Sequence, residues 1–185
     1  MARNGRWKRL DIAFGMFRSH VQGKSKLYVL TELDLLYASN FKGGNSSICE
    51  LPSSIEDKLK RYQEILQKIV VSFGQFQLRD LDVPQVDALG KMARSFLDTT
   101  LSEGQKIDGF GPAYASAVLA AHLPDLLPVI DKWVLNGAGL LKAQKKVPVE
   151  NIETHYEEFL RLCWLELNKH KQSSLRQLDF KWYTK

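Results

Sequence analysis

The feature that most constrains this chain is a bend followed by a carboxylate. Lys106-Ile107-Asp108-Gly109-Phe110-Gly111-Pro112 runs straight into Ala113-Tyr114-Ala115-Ser116-Ala117-Val118-Leu119, and Pro128-Val129-Ile130-Asp131-Lys132-Trp133-Val134 comes next. Gly109 and Gly111 flank one apolar residue and tolerate φ > 0, so the chain can turn tightly between two helices. Ala113, Ala115 and Ala117 allow a neighbouring backbone to approach closely. The bend ends at a helix start, where unpaired N–H groups and the helix dipole favour an anion such as phosphate. Asp131 lies 20 positions beyond Gly111, after an extended link holding Pro124 and Pro128. An aspartate opening a helix accepts backbone N–H bonds and feels the dipole, and both favour its ionised form. Capping is also the ordinary structural use of Asp, so it is the bend upstream that gives this one a functional reading.

Residues 86–142 resemble the helix-hairpin-helix DNA glycosylases, whose hairpin reads hydrophobic-Gly-hydrophobic-Gly before a Pro-Val-Asp-type segment. The interval from Gly111 to Asp131 is similar to that of the endonuclease-three and adenine-mismatch branches. In outline the whole chain resembles bacterial members like 8-oxoguanine glycosylase. The resemblance implies an all-α fold of about seven helices around a cleft, over a single domain of residues 1–185. It implies excision of a damaged or modified base from double-stranded DNA, in repair or in defence against modified foreign DNA. Asp131 would be the catalytic carboxylate. Gly109, Phe110, Gly111 and Ala113 would hold the DNA backbone at the hairpin. Bifunctional members carry a nucleophilic Lys two residues after the second glycine; here that residue is Ala113, so the expected product is an intact abasic strand. No cofactor is called for, a monovalent cation at the hairpin being the one ion the resemblance allows, and the expected state is a monomer.

An early loop, Asn40-Phe41-Lys42-Gly43-Gly44-Asn45-Ser46-Ser47, offers amides, hydroxyls and a lysine to a phosphate or a base edge. The corresponding loop of the glycosylases enters the DNA near the lesion, which makes Lys42 and Asn45 candidate DNA ligands. Phe41, Trp133 and Tyr114 are candidates for the base pocket or for a wedge, although Tyr114 also fits a core position. A flexible connector is the plain alternative for this loop. Two other readings of the chain stay open: a hairpin module that grips DNA without chemistry, and a helical scaffold that binds another protein.

Composition sets limits on function. A 185-residue chain with 44% hydrophobic and 25% charged residues suits one or two small globular domains. No apolar run approaches the ~20 residues that span a bilayer. The first residues lack a secretory apolar core, and Cys49 and Cys163 make no disulfide framework, so the expected setting is cytoplasmic. Two cysteines also exclude a four-cysteine iron–sulfur cluster. No His, Cys, Asp or Glu cluster has metal-ligand spacing. The net charge of +5 is unevenly spread: residues 1–9 and 169–185 carry +4 each and the remainder carries −3. Basic ends, the second read as a tail over 169–185, fit a polyanion partner or solvated termini.

Periodicity predicts the helices. Leu10, Phe14, Phe17 and Val21 mark one that ends near Gly23. Thr31 and Asp34 form a capping box for another, and Ser53 with Glu56 looks like a second box. Ile55, Leu59, Tyr62, Leu66, Ile69 and Phe73 define a core-facing helix ended by Gly74. Asp82 opens the first hairpin helix and residues 112–122 form its second. A last helix carries Ile152, Tyr156, Phe159, Leu160, Cys163 and Leu167, with acids early and bases late. Residues 27–30 offer the one candidate strand.

Overall fold

Amphipathic stripes, caps and prolines divide the chain into eight α-helices and no strand among the described residues of a computed structural model, which are 2–44, 48–142, 151–170 and 173–185, with side chains from residue 5 onward. The helices are α1 Ala2–Gln22, α2 Glu32–Phe41, α3 Pro52–Phe73, α4 Val83–Asp98, α5 Pro112–His122, α6 Lys132–Ala138, α7 Tyr156–Lys169 and α8 Leu175–Thr184. All-α architecture is therefore established; 3-10 turns at 78–80 and 152–155 precede α4 and α7.

α5 is the centre. It is short in side chains and apolar on every side, and every residue from Ala115 to His122 is buried. α1 and α2 pack on one side of it and α4 on another. α4 in turn lies between α3 and α7. The stripe of α3 is buried as its spacing predicts, with Lys60, Arg61 and Lys68 on the wet face. Asp82 caps α4 through a reciprocal pair: its carboxylate accepts the Gln85 N–H at 2.8 Å, and Gln85 Oε1 accepts the Asp82 N–H at 2.9 Å. The Thr31 cap also forms, with Asp34 Oδ2 accepting the Thr31 N–H at 2.7 Å.

Four expectations are corrected. Residues 169–185 are not a tail: Ser174 caps α8 by accepting the Gln177 N–H, and Leu175, Leu178, Trp182 and Tyr183 are buried. The first helix begins at Ala2 rather than near residue 10, because Trp7 is buried against Phe180 and Tyr183 of α8, at ring separations of 5.4 Å each. α3 starts at Pro52 with Leu51 as its N-cap, so Ser53 lies inside the helix, and it is the neighbouring Ser54 hydroxyl that bonds Glu50. Residues 27–30 have no strand partner; Tyr28 takes φ 64° and the Leu30 N–H is held by Gln63 Oε1.

The terminal helices α1 and α8 thus lie together, and α8 packs on α6. Gly137 makes that last contact close, since a Cβ there would sit 1.9 Å from the Trp182 carbonyl oxygen. No helix among the described residues is long and apolar enough to cross a membrane.

Candidate functional site

The segment before Asp131 is extended because Pro124 and Pro128 forbid a continuous helix. It is held at fixed points. The buried Ser116 hydroxyl of α5 accepts the Ile130 N–H at 3.0 Å, and the Tyr156 hydroxyl donates to the Pro128 carbonyl at 3.0 Å. These bonds fix where α6 begins. Asp131 is its N-cap, and Oδ1 accepts the N–H groups of Trp133 at 2.8 Å and Val134 at 3.0 Å.

The other carboxylate oxygen, Oδ2, accepts from Lys42 Nζ at 2.8 Å. Lys42 reaches it because α2 ends there: Gly43 and Gly44 take φ of 93° and 66°, and the Gly44 N–H closes on the Ser39 carbonyl at 2.8 Å. The double glycine is therefore a helix terminator that aims Lys42 across the molecule. Burial by itself would raise the pKa of Asp131; the Lys42 ammonium and the two backbone N–H groups outweigh it and hold the carboxyl below the usual range.

Asp131 and Lys42 face a pocket of about 180 Å³. Its walls come from five places: Arg6 and Trp7 of α1, the end of α2, Ala113 and Tyr114 of α5, Lys132 and Trp133 of α6, and Asp179 and Tyr183 of α8. Trp7, Phe41, Tyr114, Trp133 and Tyr183 supply its aromatic lining and Arg6, Lys42 and Lys132 its basic groups. Lys132 turns back over its neighbour, with Nζ 5.1 Å from the Trp133 ring. Asp179 is buried and bonded to Arg176, whose guanidinium also lies 4.0 Å from the Trp7 ring centre and bonds Asp11 at 2.9 Å. Burial pushes the Asp179 carboxyl up to about 7; Arg176 opposes the shift and the negative charge of Asp131 adds to it.

The sequence candidates are distributed as follows. Asp131, Lys42, Ala113, Tyr114, Trp133 and Phe41 all line this one pocket. Phe41 is not free to act as a wedge: it is 3% exposed and stacks obliquely on Phe14 at 4.9 Å, leaving only an edge at the pocket. Phe110 is turned inward, 2% exposed, with its ring 5.8 Å from Tyr62 and its N–H bonded to the Ile107 carbonyl. It offers neither ring nor N–H to a ligand at the bend. Gly109 takes φ 82° as the bend requires, whereas Gly111 is extended at φ −93°, so only the first glycine uses its freedom. Asn45 lies outside the described residues, as do Ser46, Ser47, Lys171 and the greater part of the basic link after Lys142.

Asp179, Tyr183, Trp7 and Arg6 were absent from the sequence candidates because their helix ends read as solvated basic termini. The pattern Ser174-Leu175-Arg176-Gln177 followed by Leu178 and Trp182 is a capping box with an apolar stripe, and it carried the signal for α8. Among the described residues no three His, Cys, Asp or Glu side chains form a group that could hold a metal ion. No protein-family model, no curated protein and no solved structure matches the chain.

Proposed function

We propose that the chain is a DNA N-glycosylase that flips a damaged or modified base out of the duplex and hydrolyses its bond to the sugar. The observation that carries this reading is Asp131: an ionised carboxylate, fixed by two backbone N–H groups, facing a pocket lined by aromatic rings and by the start of α5. Departure of a base leaves an oxocarbenium-like sugar, and a preorganised anion in a poorly solvated pocket stabilises that cation more than water does. Trp133 and Tyr114 offer stacking surface worth about 1–3 kcal/mol per base, which offsets part of the few kcal/mol that flipping costs. The pocket is smaller than the roughly 300–1,000 Å³ of drug-sized sites, which suits a single planar ring system. Arg6 and Lys132 supply positive charge for the flanking phosphates, Lys42 being held on Asp131. Ala113 stands where a hairpin nucleophile would be, so the product is an abasic strand that remains unbroken until treated with alkali.

The test is incubation of the chain with duplex oligonucleotides carrying 8-oxoguanine, hypoxanthine, uracil or N7-methylguanine, followed by hot alkali. Strand breaks seen only after alkali, and lost in Asp131→Asn, support the reading. Breaks without alkali, or a borohydride-trapped adduct, would remove its monofunctional part. One observation favours a second reading, a DNA grip without chemistry: Lys42 already neutralises Asp131. Salt-dependent duplex binding with no release of any base, unchanged by Asp131→Asn, would select that alternative.

A further inference from the structure

The pocket holds a second acidic group besides Asp131. Asp179 comes from α8 and lines the pocket together with Asp131. Its Oδ2 accepts from Arg176 Nη1, and Oδ1 takes no hydrogen bond among the described residues. Arg176 is itself fixed by Asp11 and by the Trp7 ring, so Asp179 has little freedom to swing away. The two carboxyls differ in environment. Asp131 has an ammonium and two N–H donors; Asp179 has one guanidinium and is 7% exposed.

We propose that Asp179 is a catalytic residue, the general acid of this site, delivering its proton to the departing base while Asp131 stabilises the sugar. The inference rests on the base-excision reading. The C1′–N bond breaks and its electron pair goes to the base nitrogen; the base is protonated from the Asp179 carboxyl. A water oxygen then bonds to C1′ and gives its proton to Asp131. Asp131 returns a proton to solvent and Asp179 takes one up, so one water is consumed and no other co-reactant is needed. Two titratable groups pushed apart by environment divide the acid and base roles between them. The direction of the shift at Asp179 agrees, since burial and the neighbouring anion keep a proton on it near neutrality. The other charged or titratable groups around it are Arg176 and Tyr183 on its own helix, Arg6 and Arg18 of α1, Lys42 after α2, Asp125 of the link before α6, Lys132 of α6 and Cys163 of α7.

Single-turnover base release is measured from pH 5 to 9 on the four duplexes above, for the full chain and for Asp131→Asn, Asp179→Asn and Asp179→Glu. The expected rate for the unaltered chain falls as pH rises through about 7. Asp179→Asn should lower it by about 10²–10⁴-fold at pH 6 and abolish that descending limb. Asp179→Glu should restore part of the rate together with the limb. N7-methylguanine already carries a positive charge and leaves without a proton, so its release should be nearly insensitive to Asp179→Asn. Loss of activity in Asp131→Asn with an unchanged rate and pH profile in Asp179→Asn overturns the assignment of Asp179 alone. An equal loss on all bases in Asp179→Asn, not restored by Asp179→Glu, also overturns it. Release of no base by the unaltered chain overturns both this inference and the excision reading.

Discussion

The charge of Asp131 and its role as a cap can be separated. An amide keeps the acceptor that holds the Trp133 and Val134 N–H groups, so Asp131→Asn preserves the start of α6. Asp131→Ala removes the cap, at a cost of about 1 kcal/mol. Urea denaturation should show that order of stability, while both variants lose base release alike. Equal stability of the two would mean the cap contributes nothing here. Asp34 is the structural counterpart of Asp131. It is wholly buried among Lys24, His122 and His20, with its Oδ1 accepting from Lys24 at 2.7 Å and 3.2 Å from His122 Nε2. Removing one member of a buried ionic group strands the others, so Asp34→Ala should destabilise the fold by about 3–5 kcal/mol. A shift below 1 kcal/mol in the same denaturation experiment would contradict this.

At the scale of elements, the pocket depends on how α6 and α8 meet. Gly137 lets the α8 backbone come within the space a methyl group would fill, with the Trp182 carbonyl carbon 2.6 Å from an added Cβ. Because backbone cannot swing aside like a side chain, Gly137→Ala must separate the two helices. The expected cost is about 1–3 kcal/mol or more, and the separation carries Asp179 away from Asp131. A crystal structure or tryptophan fluorescence of the variant reports the shift through Trp182 and Trp133; unchanged stability would show that α8 can give way freely. Ser116 acts on the other side. Its hydroxyl occupies the Ile130 N–H, and Ser116→Ala leaves that buried donor unpaired, for a loss of about 1–3 kcal/mol. The loss should be accompanied by a lower rate of base release, since Asp131 is the next residue along.

For the whole molecule, two buried carboxyls give opposite pH dependences. The Asp34 pKa is lowered to about 2: burial alone would raise it, and the His122 and Lys24 hydrogen bonds reverse that. Its stabilisation is complete above the ordinary carboxyl range and is lost as pH falls through about 2. Asp179, raised to about 7, works the other way: the folded state binds its proton more tightly, so stability declines as pH rises from about 4 to about 7. Denaturation midpoints should therefore decline as pH rises from about 5 to about 7, and Asp179→Asn should flatten that slope. The paired α1 and α8 also bring the basic ends of the chain together, with Arg6 at the pocket and Lys8, Arg9, Lys181 and Lys185 exposed. The logarithm of duplex affinity should fall linearly with the logarithm of salt concentration, and Arg6→Ala should reduce the slope by about 1. A salt-independent affinity would remove DNA as the partner.

Helices were legible where one residue type does one local job. The 3-4 spacing in α3, the cap at Asp82, the prolines at 112 and 128 and the cap at Asp131 are set by contacts a few residues long, and a sequence carries those directly. The terminal helices were obscured because net charge dominated the count, while Trp7 is buried against Phe180 and Tyr183 of α8 and Trp182 against Phe159 of α7. Asp131 was readable as a helix cap beside a glycine bend. That Lys42 sits on it from 89 positions earlier, that Phe110 turns inward, and that Asp179 shares its pocket are facts of packing. By itself the sequence determined the inner helices, since caps, prolines and apolar stripes act over a turn or two. Only the tertiary structure decided which charges meet, because burial and long-range pairing place Lys42 on Asp131 and set the ionisation of Asp179, and no local pattern encodes either.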